Sequence, residues 1–393
     1  MKQPSLDGRF VAAAIIALYA LGLVLVAGLV GERRVFEFAG VRVMGKSFPD
    51  LQIFPAAQAE IARGGDPHIE SRSDPWRRPF NYPAVWLQFM RFPSEAVPWV
   101  GFSLGVLWLA GVGAWWGRLS ILQGISGGLL LCGPPIVLAL ERGNCDLLVF
   151  LIVLGALVSL KHGLRGVAAM SFAVAGVLKL YPLAGVAVFR RLPLRGMLSW
   201  STATAAIAGV FWLWHVDELR VILRATPIGG MLAYGAKVWV LNLVAPSSGA
   251  EIGDLGLLCR LGQSVALVGA ALAFVFGYRH ARTHPFEPAG WSLDGFRAGA
   301  AIYLLTFVAG ANFSYRLMFL LLCVPWLMDF ERAFPRGLSL PRSIALGLVA
   351  AIYWINPFWW AVLMIPREIA GWSLLVMLAW LLGATSRFME KHA

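Results

Sequence analysis

The sequence predicts an all-α polytopic membrane protein, and three observations lead to that prediction. Of 393 residues, 59% are hydrophobic and only 14% are charged, whereas a soluble domain usually carries about 25% charged residues. The mean hydropathy of +0.72 leaves too little polar surface to cover a soluble chain of this length. The 17 tryptophans suit membrane–water boundaries, where amphipathic rings collect.

Apolar runs of the length that a bilayer requires recur along the chain. A helix needs about 20 apolar residues to cross, and it satisfies its own backbone hydrogen bonds. These runs and one further apolar block predict a single membrane domain, 1–393, with about 10–12 transmembrane helices. The clear candidates are 10–30, 97–117, 121–139, 144–160, 193–214, 256–278, 297–311, 314–330, 341–363 and 369–387.

The first run is followed by a long polar loop. The run itself comes after Lys2 and Arg9 and lacks a small-residue cleavage site, so we expect a retained anchor rather than a signal peptide. In the loop, 31–80, apolar positions at helical spacing over 49–63 predict a short helix on the membrane surface. A second apolar piece, 82–91, is too short to span.

The further apolar block, 166–189, is interrupted by Lys179, Tyr181 and Pro182, and two arrangements fit it. The block can form a tight helical pair that crosses and returns, with the interruption at its tip. Alternatively it is one full span, accompanied by an extra span near 82–95. We prefer the pair, because basic residues flank both ends of the block and such residues favour one side of a membrane.

Lysine and arginine concentrate in some of the connecting loops, and this asymmetry predicts the orientation. With these loops in the cytoplasm, both termini are cytoplasmic, and the polar segments 31–80, 141–146, 179–182, 215–224 and 312–316 are extracytoplasmic. The net charge of +12 has the same origin, because the basic residues are dispersed rather than gathered into a nucleic-acid-binding stripe. Arginine-rich, lysine-poor usage favours a bacterial source, and we expect the plasma membrane. The basic clusters are Lys2/Arg9, Lys161/Arg165, Arg190/Arg191/Arg195, Arg279/Arg282, Arg332/Arg336/Arg342 and Arg387/Lys391.

The loop 31–80 carries an acid, Asp50, at the start of the predicted surface helix. A carboxylate there can cap the helix by accepting hydrogen bonds from its first N–H groups. The same position suits a general base, because a carboxylate held at a dry boundary accepts a proton more readily. Both interpretations are open.

The next polar cluster contains Arg142, Asn144 and Asp146 between two candidate spans. The six residues 141–146 contain three charged side chains and one amide, which is more than a plain hydrophilic turn needs. Helix capping accounts for Asn144 and Asp146 equally well, so capping and substrate binding are both open.

Two more clusters place cations beside apolar runs. Lys179, with Tyr181, lies deep in an apolar block, where an ammonium is costly and suggests a function, either phosphate binding or pairing with an acid such as Asp146. Arg316 offers a fork of donors for phosphate, or else reaches to the interface. His215 is a weak acid–base candidate at the start of a solvated loop.

The four cysteines do not indicate chemistry of their own. They lie in or beside apolar runs without CxxC spacing, so neither a disulfide framework nor a zinc site is predicted. They are Cys132, Cys145, Cys259 and Cys323.

The order of these motifs resembles the GT-C superfamily of polyprenyl-phosphate-sugar-dependent glycosyltransferases. An acid in the first outer loop is followed by Gly-Asp-Pro at 65–67, Tyr-Pro at 82–83, Arg-Gly-Asn-x-Asp at 142–146 and Lys-x-Tyr-Pro at 179–182. Within the superfamily the chain resembles glycosyltransferase family 87, the bacterial polyprenol-phosphate-mannose-dependent α-mannosyltransferases. It also resembles the catalytic subunit of GPI mannosyltransferase I.

The resemblance implies a GT-C-like fold and a set of site residues. It covers 1–190, the implied catalytic module, and leaves 191–393 as variable C-terminal transmembrane helices. Asp50 matches the family's catalytic acid and would act as the base. The implied substrate-binding residues are Tyr82, Arg142, Asn144, Asp146, Lys179, Tyr181 and Arg316.

The implied reaction is inverting transfer of a sugar, mannose by analogy, from polyprenyl phosphate to an extracytoplasmic hydroxyl of a lipid or glycan. Cations would stabilise the leaving phosphate. The GPI enzyme carries Asp-x-Asp and then Tyr-x-x-Phe, whereas Phe48 and Leu51 stand here for the first acid and the tyrosine. This loss of an acid disfavours a bound divalent metal, so we expect no cofactor. Membrane lipids are expected partners and nucleic acid is not.

Two other function classes are open. A transporter or flippase for a lipid-linked or polar substrate would show paired broken helices and polar residues near the membrane midplane. The sequence shows one broken segment and polar clusters near one face, which favours the enzyme. A non-catalytic assembly partner would not need Asp50.

Overall fold

The computed structural model describes residues 7–226, 230–244, 255–284, 290–329 and 337–386, which are mostly helical. The two short strands, Ala233–Tyr234 and Asn312–Phe313, pair antiparallel. The all-α class is therefore confirmed in the described part of the chain.

Five of the described helices are long and apolar enough to cross a bilayer. Each contains at least 21 residues. Two of them begin with a short 3₁₀ turn, which is Ser94–Ala96 in the helix that ends at Trp116 and Ala361–Leu363 in the helix that ends at Ala384. The five are Gly8–Val30, Ser94–Trp116, Leu194–Trp214, Gly256–Thr283 and Ala361–Ala384.

The other predicted spans are bent or short. Ile121–Leu131 and Pro134–Arg142 meet at 54° and make a sixth span if they are taken together. Asp146–Lys161 has 16 residues, or about 24 Å of helix, less than the about 30 Å of a hydrocarbon core. The prediction of 10–12 spans is thus too high for full-length apolar helices in the described residues. A helix that packs against other helices of the protein does not have to face lipid across the whole thickness of the bilayer, so it can be shorter than a full span.

The remaining elements complete the described fold. The α-helices are Glu32–Phe38, Ile53–Ala62, Trp86–Phe89, Arg165–Leu178, Val216–Ala225, Trp291–Ala309, Val324–Leu327 and Ser339–Trp354. The 3₁₀ helices are Tyr181–Arg191 and Ser314–Leu322, and Val240–Val244 is a turn of π-helix.

The chain doubles back at Lys179, as in the preferred arrangement of the block 166–189. Lys179 has an extended backbone with φ −154° and ψ 133°, which ends the preceding helix. On either side of it, Gly176 lies against Leu183 and Phe172 lies against Gly185. The contacts run in opposite order along the two helices, so the pair is antiparallel. The alternative of an extra span near 82–95 is wrong, since only one α-helical turn, Trp86–Phe89, lies between 82 and 93.

Basic and site residues lie at opposite ends of the same helices. Helix Asp146–Lys161 runs between the two ends over about 24 Å. At its basic end Arg191 donates to Asp294 at 2.5 Å, and the ammonium of Lys161 lies over the ring of Trp291. Several predicted basic residues lie outside the described residues, namely Lys2, Arg332, Arg336, Arg387 and Lys391.

Part of the loop 31–80 is packed into the protein. The predicted surface helix forms as Ile53–Ala62, but Phe54 and Ala57 in it are fully buried. The C-terminal part supports the loop, because the Asn356 side chain donates to the carbonyl of Gly40 at 2.7 Å. One continuous hydrophobic core contains residues from both the first half and the second half of the chain. The helix therefore packs against the protein through a face that contains Phe54 and Ala57, while Ile61 is exposed.

Candidate functional site

A strained turn positions Asp50. Its backbone N–H donates to the carbonyl of Arg142 at 3.0 Å, and two residues earlier Phe48 adopts a positive φ of 51°. The Phe48 ring packs on Gly101 and Gly143, and a Cβ at Gly101 would come within 2.4 Å of it. The two glycines therefore make room for the turn, which brings Asp50 against the start of the cluster 142–146.

The carboxylate of Asp50 is held by side chains from other segments. The Asn144 amide donates to Oδ2 at 2.6 Å, and guanidinium nitrogens of Arg78 and Arg142 lie 3.4 and 3.9 Å from Oδ1. The side chain is 14% exposed and lines a cavity. The cap interpretation is wrong, since helix Ile53–Ala62 begins after Gln52 with no side-chain cap bond.

Arg78, which the sequence did not single out, is anchored by Asp74. The guanidinium donates to both Asp74 oxygens, at 2.9 and 3.1 Å, and the Asp74 carboxylate also accepts from the N–H groups of Trp76 and Arg78. Asp74 is buried, so these bonds satisfy it. Burial acts to lower the pKa of Arg78, but the bonds to Asp74 outweigh it and the pKa is raised. Arg78 is therefore a fixed cation beside Asp50.

Asp146 is the buried counter-ion of two cations. Its side chain is fully buried, Lys179 contacts Oδ1 directly, and Arg316 Nε lies 3.3 Å from Oδ2. The Asn144 carbonyl accepts the N–H of Asp146 at 2.9 Å, so Asn144 has a cap-like role as well as its bond to Asp50. Pairing of Lys179 with Asp146, one of the predicted alternatives, is confirmed, and Arg316 is paired with the same carboxylate.

Two tyrosines cover the cations. The Lys179 ammonium lies 4.8 Å from the centre of the Tyr82 ring, and the Arg316 guanidinium lies 5.0 Å from that of Tyr181. Burial raises the pKa of Tyr82 well above its usual value, so its phenol is neutral. Tyr82 is itself stacked on Phe54. Phe54 therefore helps to fix the Tyr82 ring that contacts the ammonium of Lys179.

Asn312 is a second residue that the sequence did not identify individually as part of the site. Arg316 donates to its carbonyl oxygen, while its amide donates to the carbonyl of Thr306 at 2.5 Å. Asn312 pairs with Tyr234 in the short antiparallel ladder. The ladder therefore positions the side-chain amide of Asn312, and this amide in turn positions the guanidinium of Arg316.

These side chains face one cavity of about 690 Å³. Its polar lining includes Asp50, Arg78, Arg142, Lys179 and Arg316. Asn144 and Asp146 lie behind that lining and hold the residues that form it. The cavity therefore combines a carboxylate with several cations.

An amphipathic helix forms the apolar wall of the cavity. Leu219, Ile222 and Leu223 of Val216–Ala225 line it. The helix is tied to the first loop, because Glu218 accepts the N–H of Ala84 at 2.5 Å. The i, i+3, i+4 spacing of the three apolar residues was a usable signal for a helix wall, although the sequence suggested a solvated loop there.

All eight predicted site residues converge in this region. Asp50, Tyr82, Arg142, Lys179, Tyr181 and Arg316 line the cavity, and Asn144 and Asp146 support them. The weak candidate His215 is not among the lining residues, and its ring is hydrogen-bonded to the carbonyl of Phe211 in the preceding helix, Leu194–Trp214. Arg78 and Asp74 lacked a sequence signal, because arginines and acids are frequent in this loop.

Among the described residues, no group of three or more His, Cys, Asp or Glu side chains could hold a metal ion. The surroundings of Asp50 are cationic, with Arg78 and Arg142 within 4 Å. A divalent cation would be repelled there, so the residues present do not fit a metal at Asp50.

Comparison of the chain with the known protein families, with curated proteins and with solved structures finds no match.

Proposed function

We propose that this chain is a membrane glycosyltransferase that moves a sugar from a polyprenyl-phosphate donor to an extracytoplasmic acceptor hydroxyl. One observation carries the proposal. The carboxylate of Asp50 and the cations Lys179 and Arg316 line the same cavity, while the counter-ion Asp146 lies behind the lining. The proposed base and the proposed binding site for the phosphate anion would therefore lie in the same cavity.

The cations suit the phosphate of the donor. Lys179 and Arg316 together carry two positive charges against the single negative charge of Asp146, which leaves an excess of one. A phosphate in the cavity would meet that excess without displacing the buried acid. Developing charge on a leaving phosphate is stabilised by such preorganised cations.

Asp50 supports the role of base. In the proposed step the acceptor oxygen forms a bond to the anomeric carbon from the face opposite the phosphate. The bond from that carbon to the phosphate oxygen breaks, and its electron pair stays on the phosphate. The hydroxyl proton passes to Oδ1 of Asp50, the oxygen without a short hydrogen bond.

The apolar wall supports a lipid-linked donor. Leu219, Ile222 and Leu223 offer a polyprenyl chain contact beside the polar lining. The resemblance of the ordered motifs adds mannose as the sugar, with a lipid or a glycan as acceptor. No metal or other cofactor has a role in this proposal.

The proposed location is a bacterial plasma membrane with the cavity and the loop 31–80 outside. The basic residues Lys161 and Arg191, at the other end of the helices, would face the cytoplasm, where positive residues are enriched. Single cysteines test this in a variant that lacks the four native ones. Arg77→Cys should react with an impermeant reagent from outside and Lys161→Cys from inside, and the reverse pattern would reject the orientation.

The deciding test is Asp50→Asn in membranes supplied with a radiolabelled polyprenyl-phosphate sugar. Loss of a general base costs about 10²- to 10⁴-fold in rate, and we expect a loss in that range. Transfer at the wild-type rate would reject Asp50 as the base.

A transporter is the second candidate, and the broken helices favour it more than the sequence did. The chain has a 54° bend between Ile121–Leu131 and Pro134–Arg142 as well as the reversal at Lys179. In purified protein without a membrane, sugar transfer to a soluble acceptor would establish the enzyme. Movement of labelled substrate across vesicles without any covalent product would establish the transporter.

A further inference from the structure

We infer that Arg78 is a positioning residue for the base, locking both the backbone and the carboxylate of Asp50; this rests on the proposed function. The same guanidinium donates to the carbonyl of Pro49 at 2.5 Å and lies 3.4 Å from Oδ1 of Asp50. One planar group therefore contacts both the peptide carbonyl that precedes Asp50 and the carboxylate of Asp50 itself.

The orientation of the guanidinium is set by Asp74. Two nitrogens bond to its two oxygens, a fork-to-fork arrangement that fixes the plane of the guanidinium. Asp74 is in turn fixed by the N–H groups of the turn that contains Arg78. A lysine cannot reproduce this, because an ammonium carries no planar fork.

Opposite Arg78, Asn144 holds the other oxygen of Asp50 at 2.6 Å. Oδ2 is thereby engaged, and Oδ1 is left with one long contact to Arg78 and a longer one to Arg142. Oδ1 therefore carries no short hydrogen bond and is the oxygen that we assign to the acceptor hydroxyl. Asn144 thus engages one oxygen of Asp50, and Arg78 fixes where the other oxygen lies in the cavity.

Steady-state kinetics of the full-length protein in detergent, with a radiolabelled polyprenyl-phosphate sugar, test the inference. For Arg78→Gln we expect kcat to fall about 100-fold, as a displacement of about 1 Å does, with KM for the donor within about twofold. Arg78→Lys should recover part of that loss, and Asp74→Asn should mimic Arg78→Gln. The matched control is Arg77→Gln, since Arg77 is next in the chain, 75% exposed and outside the cavity lining.

A double variant separates positioning from general structural damage. If Arg78 acts through Asp50, then Asp50→Asn/Arg78→Gln should be no slower than Asp50→Asn alone. A rate equal to the product of the two single losses would overturn the inference, and so would a wild-type kcat for Arg78→Gln. If Arg78→Gln does not fold, a wild-type kcat for Arg78→Lys overturns it. Absence of sugar transfer by the wild-type protein would instead reject the proposed function, and full transfer by Asp50→Asn would reject Asp50 as the base, so these failures are distinct from failure of the inference.

Discussion

The amide of Asn144 joins the proposed base to the buried ion cluster. Its nitrogen donates to Asp50 at 2.6 Å, and its oxygen accepts the N–H of Asp146 at 2.9 Å. Both bonds use the amide in a single orientation. The cap-like bond and the bond to the proposed base are therefore made by one side chain.

Replacing Asn144 should impair transfer. Asn144→Ala leaves the Asp50 carboxylate without its short bond, and we expect a loss of about 10- to 100-fold in kcat. Asn144→Asp should be worse, because two carboxylates would then meet at the distance of that bond. Radiolabel transfer measures both, and an Asn144→Asp variant as active as the wild type would contradict this arrangement.

Removing a cation from the cavity should weaken catalysis strongly. Lys179→Met leaves Arg316 and Asp146 as a neutral pair, so the excess charge for phosphate disappears. We expect a fall of about 10²- to 10³-fold in kcat/KM for the donor. Lys161→Met is the control, since that lysine lies at the far end of helix Asp146–Lys161. Equal effects from both lysines would reject a specific phosphate site.

Replacing Asp146 should reduce stability rather than only activity. Asp146→Asn would leave Lys179 and Arg316 buried without their counter-ion. Breaking a buried ion pair in this way costs about 3–5 kcal/mol of the free energy of unfolding. Thermal unfolding in detergent measures it. An additional Lys179→Met should restore part of the loss, whereas an unchanged midpoint for Asp146→Asn would show that the charges are not coupled.

Crowding at Gly143 should be distinguishable from its backbone strain. Gly143 has φ +56°, and a Cβ there would come within 2.9 Å of Leu51 and 3.0 Å of Phe48. Gly163 also has a positive φ, +80°, but has nothing within 4 Å of such a Cβ. Both alanine variants should lose about 1–2 kcal/mol from the left-handed backbone. Gly143→Ala should lose more, and it alone should lower transfer, because the turn that carries Asp50 shifts. Equal effects on transfer would contradict this.

The candidate site was predictable to the extent that its residues were chemically conspicuous. Lys179 and Asp146 attracted attention because charges beside apolar runs are costly. Arg78 did not, because it is one of several arginines in a polar loop and its role depends on Asp50, 28 positions earlier in the chain. Contacts of that separation follow from how the loop folds, which local spacing does not encode.

Composition and hydropathy alone determined that this is a helical protein with membrane-spanning character. The reason is that backbone groups in lipid must pair within their own helix, so long apolar runs admit one structure. Only the tertiary structure decided that the block around Lys179 doubles back, that the helix Ile53–Ala62 buries one face against the protein, and that Asp50 binds Asn144 instead of capping a helix. Each of those outcomes depends on which distant partner a polar or aromatic side chain finds, and burial makes an unpaired group costly enough to enforce the choice.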